Sequence, residues 1–336
     1  MRPSTLKKRL GGGLLDFAWD EWAQMGAMAS PRRRSPWAQD PEALIVFTLE
    51  VGRDDPRLFD EVLDWIATNQ GLLSTWRMRA MCKGQEDQRL VEGVLNWVTR
   101  VNARAHRESA LGRDAGEEPE PLFRGLSGNV RNPDPAFAGV GLLRPLARAA
   151  GTARSPEMRL PINLAFRLRR LLGVGVRAEI IRYLVTGTGE SVSARSVTRA
   201  AGFSSRNVRE ALLALHDAGV VDLLGGGREQ RYAINRESWM RLLTIDLGEL
   251  PTQREWPQVL SGLRVLLRWL SASDLDDLSD YLLGSRASEV LDAVSDDFKE
   301  AGIPVSRVTA AEAWRTVEGL VDSSLRILRV AHDPAP

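Results

Sequence analysis

The chain has 336 residues, 43% hydrophobic and 26% charged, enough for about two ordinary domains and too apolar to be disordered throughout. No apolar run approaches the ~18 residues of a membrane helix. Gly11 to Gly13, Asp16, Asp20 and Glu21 break up any secretory core, and a single cysteine, Cys82, excludes an intrachain disulfide, so a cytoplasmic protein without membrane contact is expected. The net charge of +1 conceals an asymmetry: residues 1–158 carry 22 basic and 21 acidic side chains, residues 159–241 carry 14 and 7, and residues 242–336 carry 9 and 16. A basic middle and an acidic end predict one segment that faces a polyanion and another held away from it. Because 41 of the 45 basic residues are arginine, arginine abundance by itself carries little weight.

Taken in chain order, residues 1–36 read as an N-terminal arm. Leu14, Leu15, Phe17, Ala18, Trp22 and Met25 predict a short amphipathic helix, and Ser30 to Pro36 a basic linker. Residues 37–105 read as a helical domain. Asp55-Pro56 opens one helix, whose apolar stripe is Leu58, Phe59, Val62, Leu63 and Ile66. Leu90, Val91, Val94, Leu95, Val98 and Val101 mark another. Trp65 and Trp97 continue these faces, so core packing is expected of them rather than an aromatic groove. Residues 106–158 read as a Pro/Gly-rich linker with a short helix, because Pro119, Pro121, Pro133 and Pro135 suit neither helix nor central strand. Residues 159–244 form the information-bearing domain, entered through a basic helix at 160–172. Residues 245–336 read as an acidic helical domain, with faces Val259, Leu263, Leu266, Leu267, Leu270 and Ala313, Val317, Leu320, Val321, Leu325. Asp274, Asp276, Asp277 and Asp280 are expected on the solvated side of an amphipathic helix carrying Leu275, Leu278, Leu282 and Leu283.

Within 178–235 the elements fall in a definite order. An apolar helix, Ala178 to Val185, ends at Gly187-Thr188-Gly189. Ser193 can cap a second helix through Ala201. Gly202 supplies a turn in which a left-handed backbone costs no Cβ clash. Ser204 or Ser205 caps a third helix to about Ala218, apolar at Val208, Ala211, Leu212 and Leu215, and Gly219 stops it. The runs Val220 to Leu224 and Arg231 to Asn235, separated by Gly225 to Gln230, read as a hairpin with a glycine-rich tip. Ser193 to Arg209, continued by Leu212 to Val221, resembles the second helix, turn, recognition helix and strand exit of the winged helix-turn-helix superfamily of bacterial transcriptional regulators, with the MarR, ArsR, GntR and PaaX-like layout. The resemblance covers only about residues 178–235. The fold class expected is mainly α: three helices plus a β-hairpin wing at the centre, flanked by all-helical N- and C-terminal regions.

A helix enters the roughly 12 Å major groove only with polar, cationic residues outward at its N-terminal end. Arg206 and Glu210 lie opposite the apolar face, with Asn207 and Arg209 on its flanks. Arginine can pair with guanine, asparagine with adenine, and glutamate with cytosine. Ser204 and Ser205 sit where free backbone N–H groups favour a phosphate. Arg228 at the hairpin tip and Arg231 are placed for the adjacent minor groove or backbone, and Arg167, Arg169, Arg170 and Arg177 for phosphates. Arg206 and Glu210, four apart, can equally pair with each other. No nucleophile elbow, zinc-helix, dinucleotide or phosphate-loop motif occurs. His106, His216 and His332 make no metal spacing with Cys82, so no enzyme activity, cofactor or metal is expected. The leading expectation is a sequence-specific double-stranded DNA-binding regulator acting as a repressor and a homodimer, with a small-molecule effector or protein partner on the helical ends. The alternative is an antitoxin- or adaptor-type protein whose helical flanks bind a partner protein, with DNA binding secondary.

Overall fold

The computed structural model describes residues 1–329 apart from 32–33, 104–118, 126–129, 227–229 and 273. Among the described residues the chain is mainly helical, with fourteen α-helices and five short strands. Helix α1 is Pro3–Gln24, α2 Pro41–Val51, α3 Pro56–Asn69, α4 Thr75–Ala80 and α5 Gly84–Asn102. A two-residue strand, β1 (Glu120–Pro121), pairs in parallel with β2 (Leu142–Leu143) around α6 (Pro135–Ala138). Next come α7 (Leu164–Leu172), α8 (Val176–Thr186), β3 (Val192–Ser193), α9 (Ala194–Ala201), α10 (Ser205–Asp217), β4 (Asp222–Leu224), β5 (Arg231–Ala233) and α11 (Arg236–Leu243). Helices α12 (Trp256–Leu270), α13 (Asp280–Glu300) and α14 (Ala310–Arg329) complete the chain.

Local signals place several helix starts. Asp40 and Asp55 accept from the backbone N–H of Ala43 and of Arg57 and Leu58, with proline at the first helical position of α2 and α3. The N-terminal arm takes another form. Helix α1 runs unbroken through three glycines and buries Leu6, Leu10, Leu14, Phe17, Ala18 and Trp22. Packing overrides the low helix propensity of glycine here: a Cβ on Gly13 would collide with Leu325 of α14, so this glycine is what permits the close approach.

Two hydrophobic cores result. One is shared by α1–α6 and α12–α14, so the blocks drawn at 37–105 and 245–336 contribute to a single body. The other belongs to α7–α11 and the strands β3, β4 and β5. The proline-rich stretch after Pro119 also joins the first core: Leu122, Phe123 and Phe137 are buried, and the Arg144 guanidinium lies 5.2–5.7 Å from the ring centroids of Phe59, Phe123 and Phe137. Asp274 to Asp277 do not sit on a long amphipathic helix. Leu275–Asp277 is a single 3-10 turn, and α13 starts afresh where Ser279 accepts from the Leu282 N–H.

The two units meet across a buried cluster of three arginines and three carboxylates. Arg77 of α4 pairs with Asp40 at 2.6 Å and with Glu42. Arg169 of α7 pairs with Glu42 at 2.7 Å and Glu179 at 2.6 Å. Arg182 of α8 reaches Glu179 at 3.0 Å and Asp40 at 3.3 Å. All six side chains are 2% exposed or less. Burial alone would raise the Glu179 carboxyl, but the guanidinium groups of Arg169, Arg77 and Arg182 outweigh it and hold the group well below the usual carboxylate range. Such groups are stable out of water only as a complete set, since each charge is compensated by its neighbours.

Candidate nucleic-acid interface

Helices α8, α9 and α10 and the sheet ordered β3-β5-β4 enclose the second core. The pairing is antiparallel, with Val192 opposite Tyr232, Leu223 opposite the same tyrosine, and Leu224 opposite Arg231. Ser193 caps α9 by accepting from the Ser196 N–H, and Ser204, rather than Ser205, caps α10 by accepting from the Asn207 N–H at 3.2 Å. Between them Gly202 has φ +66°, the left-handed conformation that glycine adopts without strain. Val197, Ala200 and Ala201 turn inward from α9, and Val208, Ala211, Leu212 and Leu215 from α10.

The opposite face of α10 is open. Ser204, Ser205, Arg206, Asn207, Arg209 and Glu210 are all exposed. Arg206 and Glu210 pair at 2.8 Å on this surface, with side chains 85% and 63% accessible. The hydrogen bond that Arg206 donates to the Glu210 carboxylate holds its guanidinium above the ordinary value. So screened a pair is readily exchanged for other partners. The N-terminal turn of α10 therefore presents two guanidinium groups, one amide, one carboxylate and the unbonded N–H groups of a thirteen-residue helix. Arg195 in the first turn of α9 is also exposed.

Other expected contacts are placed differently. Arg228 lies outside the described residues. Arg231 is exposed, but its guanidinium is committed to Ser191, with Nε on Oγ at 2.8 Å and Nη2 on the carbonyl at 2.6 Å; it ties β5 to the entry of β3. Arg170 and Arg177 are exposed, and Arg167 donates to the Leu243 carbonyl. Arg169 is not a phosphate ligand at all: it is buried in the charge cluster between the two units. Its cationic helix position gave no sign of this: Glu42 is 127 residues away, and Glu179, ten residues on, sits on the next helix.

His216 is exposed, with Nδ1 3.0 Å from the Val221 carbonyl. Burial pushes the Cys82 thiol up to about 12, which leaves it a poor nucleophile. Among the described residues no group of His, Cys, Asp and Glu is arranged to hold a metal ion, and no helix is long and apolar enough to cross a membrane. No protein-family model, curated protein or solved structure matches the chain.

Proposed function

We propose that the chain is a cytoplasmic transcriptional regulator that binds double-stranded DNA through a winged helix-turn-helix, with α9 as positioning helix, α10 as recognition helix and the β4–β5 hairpin as wing. It acts as a repressor and binds as a homodimer, with two α10 helices roughly 34 Å apart on a two-fold site. The observation that carries this reading is the division of α10. One face is anchored by Val208, Ala211, Leu212 and Leu215, and the other leaves Arg206, Asn207, Arg209 and Glu210 free to meet base edges. Ser204 and Ser205, at the positive end of the helix, are placed for a phosphate. The order of α8, β3, α9, α10, β4 and β5, with the left-handed Gly202 in the turn, supports the same reading.

Fluorescence anisotropy on a labelled fragment of the DNA preceding the protein's own coding sequence tests it. Affinity falls steeply with salt as phosphates are neutralised. Arg209→Ala weakens binding about tenfold and reduces the salt slope by about one if it contacts a phosphate, whereas Arg206→Ala relaxes base preference. No binding at low salt, or binding indifferent to both substitutions, refutes the proposal.

A further inference from the structure

Residues on both sides of Gly202 in the turn before α10 are held by α4 of the first unit. Arg77 Nε donates to the carbonyl of Ala201, the last residue of α9, at 2.8 Å. That carbonyl is one of the four that a helix leaves without an intrahelical donor at its end, and a guanidinium there also complements the negative pole of the helix. Next, Gly202 faces α4: a Cβ on it would lie 3.1 Å from Met81 Cε. Phe203 stacks on Trp76, with ring centroids 5.1 Å apart and planes 12° from parallel. Arg77 Cζ is 6.0 Å from the centroid of the same ring. From the far side, Gln258 of α12 donates to the Arg199 carbonyl and Arg199 pairs with Glu300 of α13 at 3.8 Å.

The turn is thus braced against α4, and Ser204, the cap of α10, follows Phe203 directly. Resting on the DNA reading above, we propose that Trp76 and Arg77 are positioning residues for duplex binding. They act through Phe203 and Ala201, and they set the attitude at which the N-terminal half of α10 meets the groove. Paired hydrogen bonds to a base edge weaken steeply with misalignment, so a turn that rocks forfeits discrimination even while every α10 side chain is intact. Arg77 is bonded to Asp40 and Glu42 at its other end, so the brace also carries strain between the body and α10 in both directions.

Trp76 is 48% exposed and lies outside both cores, so Trp76→Ala in the full-length protein is the variant of choice. Expected are amide exchange at residues 202–207 accelerated roughly three- to tenfold, unchanged exchange in α12 and α14, and about tenfold weaker binding to the labelled upstream fragment with the salt slope preserved. Trp76→Phe, which keeps the stack, restores both readouts. Unchanged exchange at 202–207, or accelerated exchange with undiminished affinity, overturns the positioning role. If the wild-type protein binds no duplex, the DNA reading fails, and the exchange measurement alone decides whether α4 braces the turn.

Discussion

Replacing Arg169 with methionine separates a structural cation from a phosphate-binding one. The guanidinium makes five contacts: Nε with Glu179 at 2.9 Å, Nη1 with Glu42 and the Leu72 carbonyl at 2.7 Å each, and Nη2 with Glu42 at 2.7 Å and Glu179 at 2.6 Å. Counting each as a charged hydrogen bond overstates the loss, because removing the cation also removes the cost of keeping it from water. The residual effect is an uncompensated buried carboxylate, about 3–5 kcal/mol, a large share of the ~5–15 kcal/mol that holds most proteins folded. The loss depends on pH. In the wild type the folded-state pKa of Glu179 is depressed, so its contribution is present above the unfolded carboxylate value of about 4.3 and vanishes as pH falls through the folded value. Without Arg169 that depression shrinks, so the two proteins differ most near neutrality and converge in acid. Urea unfolding followed by tryptophan fluorescence at pH 7 and at about pH 2 reads this directly. Adding Glu179→Gln to Arg169→Met restores charge parity and recovers at least about 2 kcal/mol. A loss below about 1 kcal/mol at pH 7, a loss independent of pH, or additive effects in the double variant refute the argument. A stable Arg169→Met protein with a shallower salt dependence on DNA would instead return the residue to the phosphate-binding set.

Burial pushes the Glu21 carboxyl up to about 7, against hydrogen bonds from Gln39 and Ser35 that favour its charge and with Asp20 adding to the rise. The folded state therefore holds a proton that the unfolded state releases near 4.3, and stability falls as pH rises between the two values. Glu21→Gln nearly matches the wild type at about pH 4 and exceeds it by about 3 kcal/mol at about pH 8 by thermal unfolding; equal stabilities at the higher pH contradict the assignment. Gly202→Ala places a side chain at φ +66° and costs about 1–2 kcal/mol, read as a lowered urea midpoint. Leu212→Ala, fully buried in α10, costs about 2–5 kcal/mol, while Leu213→Ala, 40% exposed beside it, stays within about 0.5 kcal/mol; similar losses at both positions would mean that α10 has a different buried face.

The α9–α10 segment was legible because its signals are local. Ser193 and Ser204 cap as their positions require, Gly202 turns left-handed, and the apolar spacing of Val208 to Leu215 selects the inward face. The hairpin was legible too, but β3 was not: two residues carry no alternation, and their pairing with β5 crosses some forty residues of chain. The partners of Arg169 and Arg231 were hidden for a common reason. An arginine's role depends on which acceptors come within reach, and Glu42, Glu179 and Ser191 reach theirs only through folding. The arm expected at 1–36 is instead a helix from Pro3: three glycines lower intrinsic helix propensity, but the burial of Leu6, Leu10 and Leu14 carries the helix through them, and at Gly13 alone the closeness of α14 favours a glycine. Nor does any composition shift announce that α12–α14 return to close the core begun by α1 and α2, since that is a long-range packing event.

The way the second unit is attached bears on how α10 can respond to the rest of the molecule. The chain enters this unit beside Ile162, whose carbonyl accepts from the Gln39 N–H, and leaves it beside Thr252, which exchanges hydrogen bonds with Pro36 and Ala38. Gln253 then donates to the Thr186 carbonyl at the end of α8. Residues 36–39 therefore run between the segments that enter and leave the second unit and lead straight into Asp40, which caps α2 and bonds to Arg77 and Arg182. Both covalent crossings and the charge cluster share one seam, and the brace on Ala201 starts from the same Arg77 side chain. Rotation of α10 against the first unit disturbs that seam through Arg77. Glu21, hydrogen-bonded to Ser35 and Gln39, is the titrating group that touches it from α1. A ligand or proton that alters residues 35–40 is thus mechanically coupled to the turn before α10, while one bound at α13 reaches α9 from the other side, through the Arg199–Glu300 pair and the Gln258 hydrogen bond to the Arg199 carbonyl.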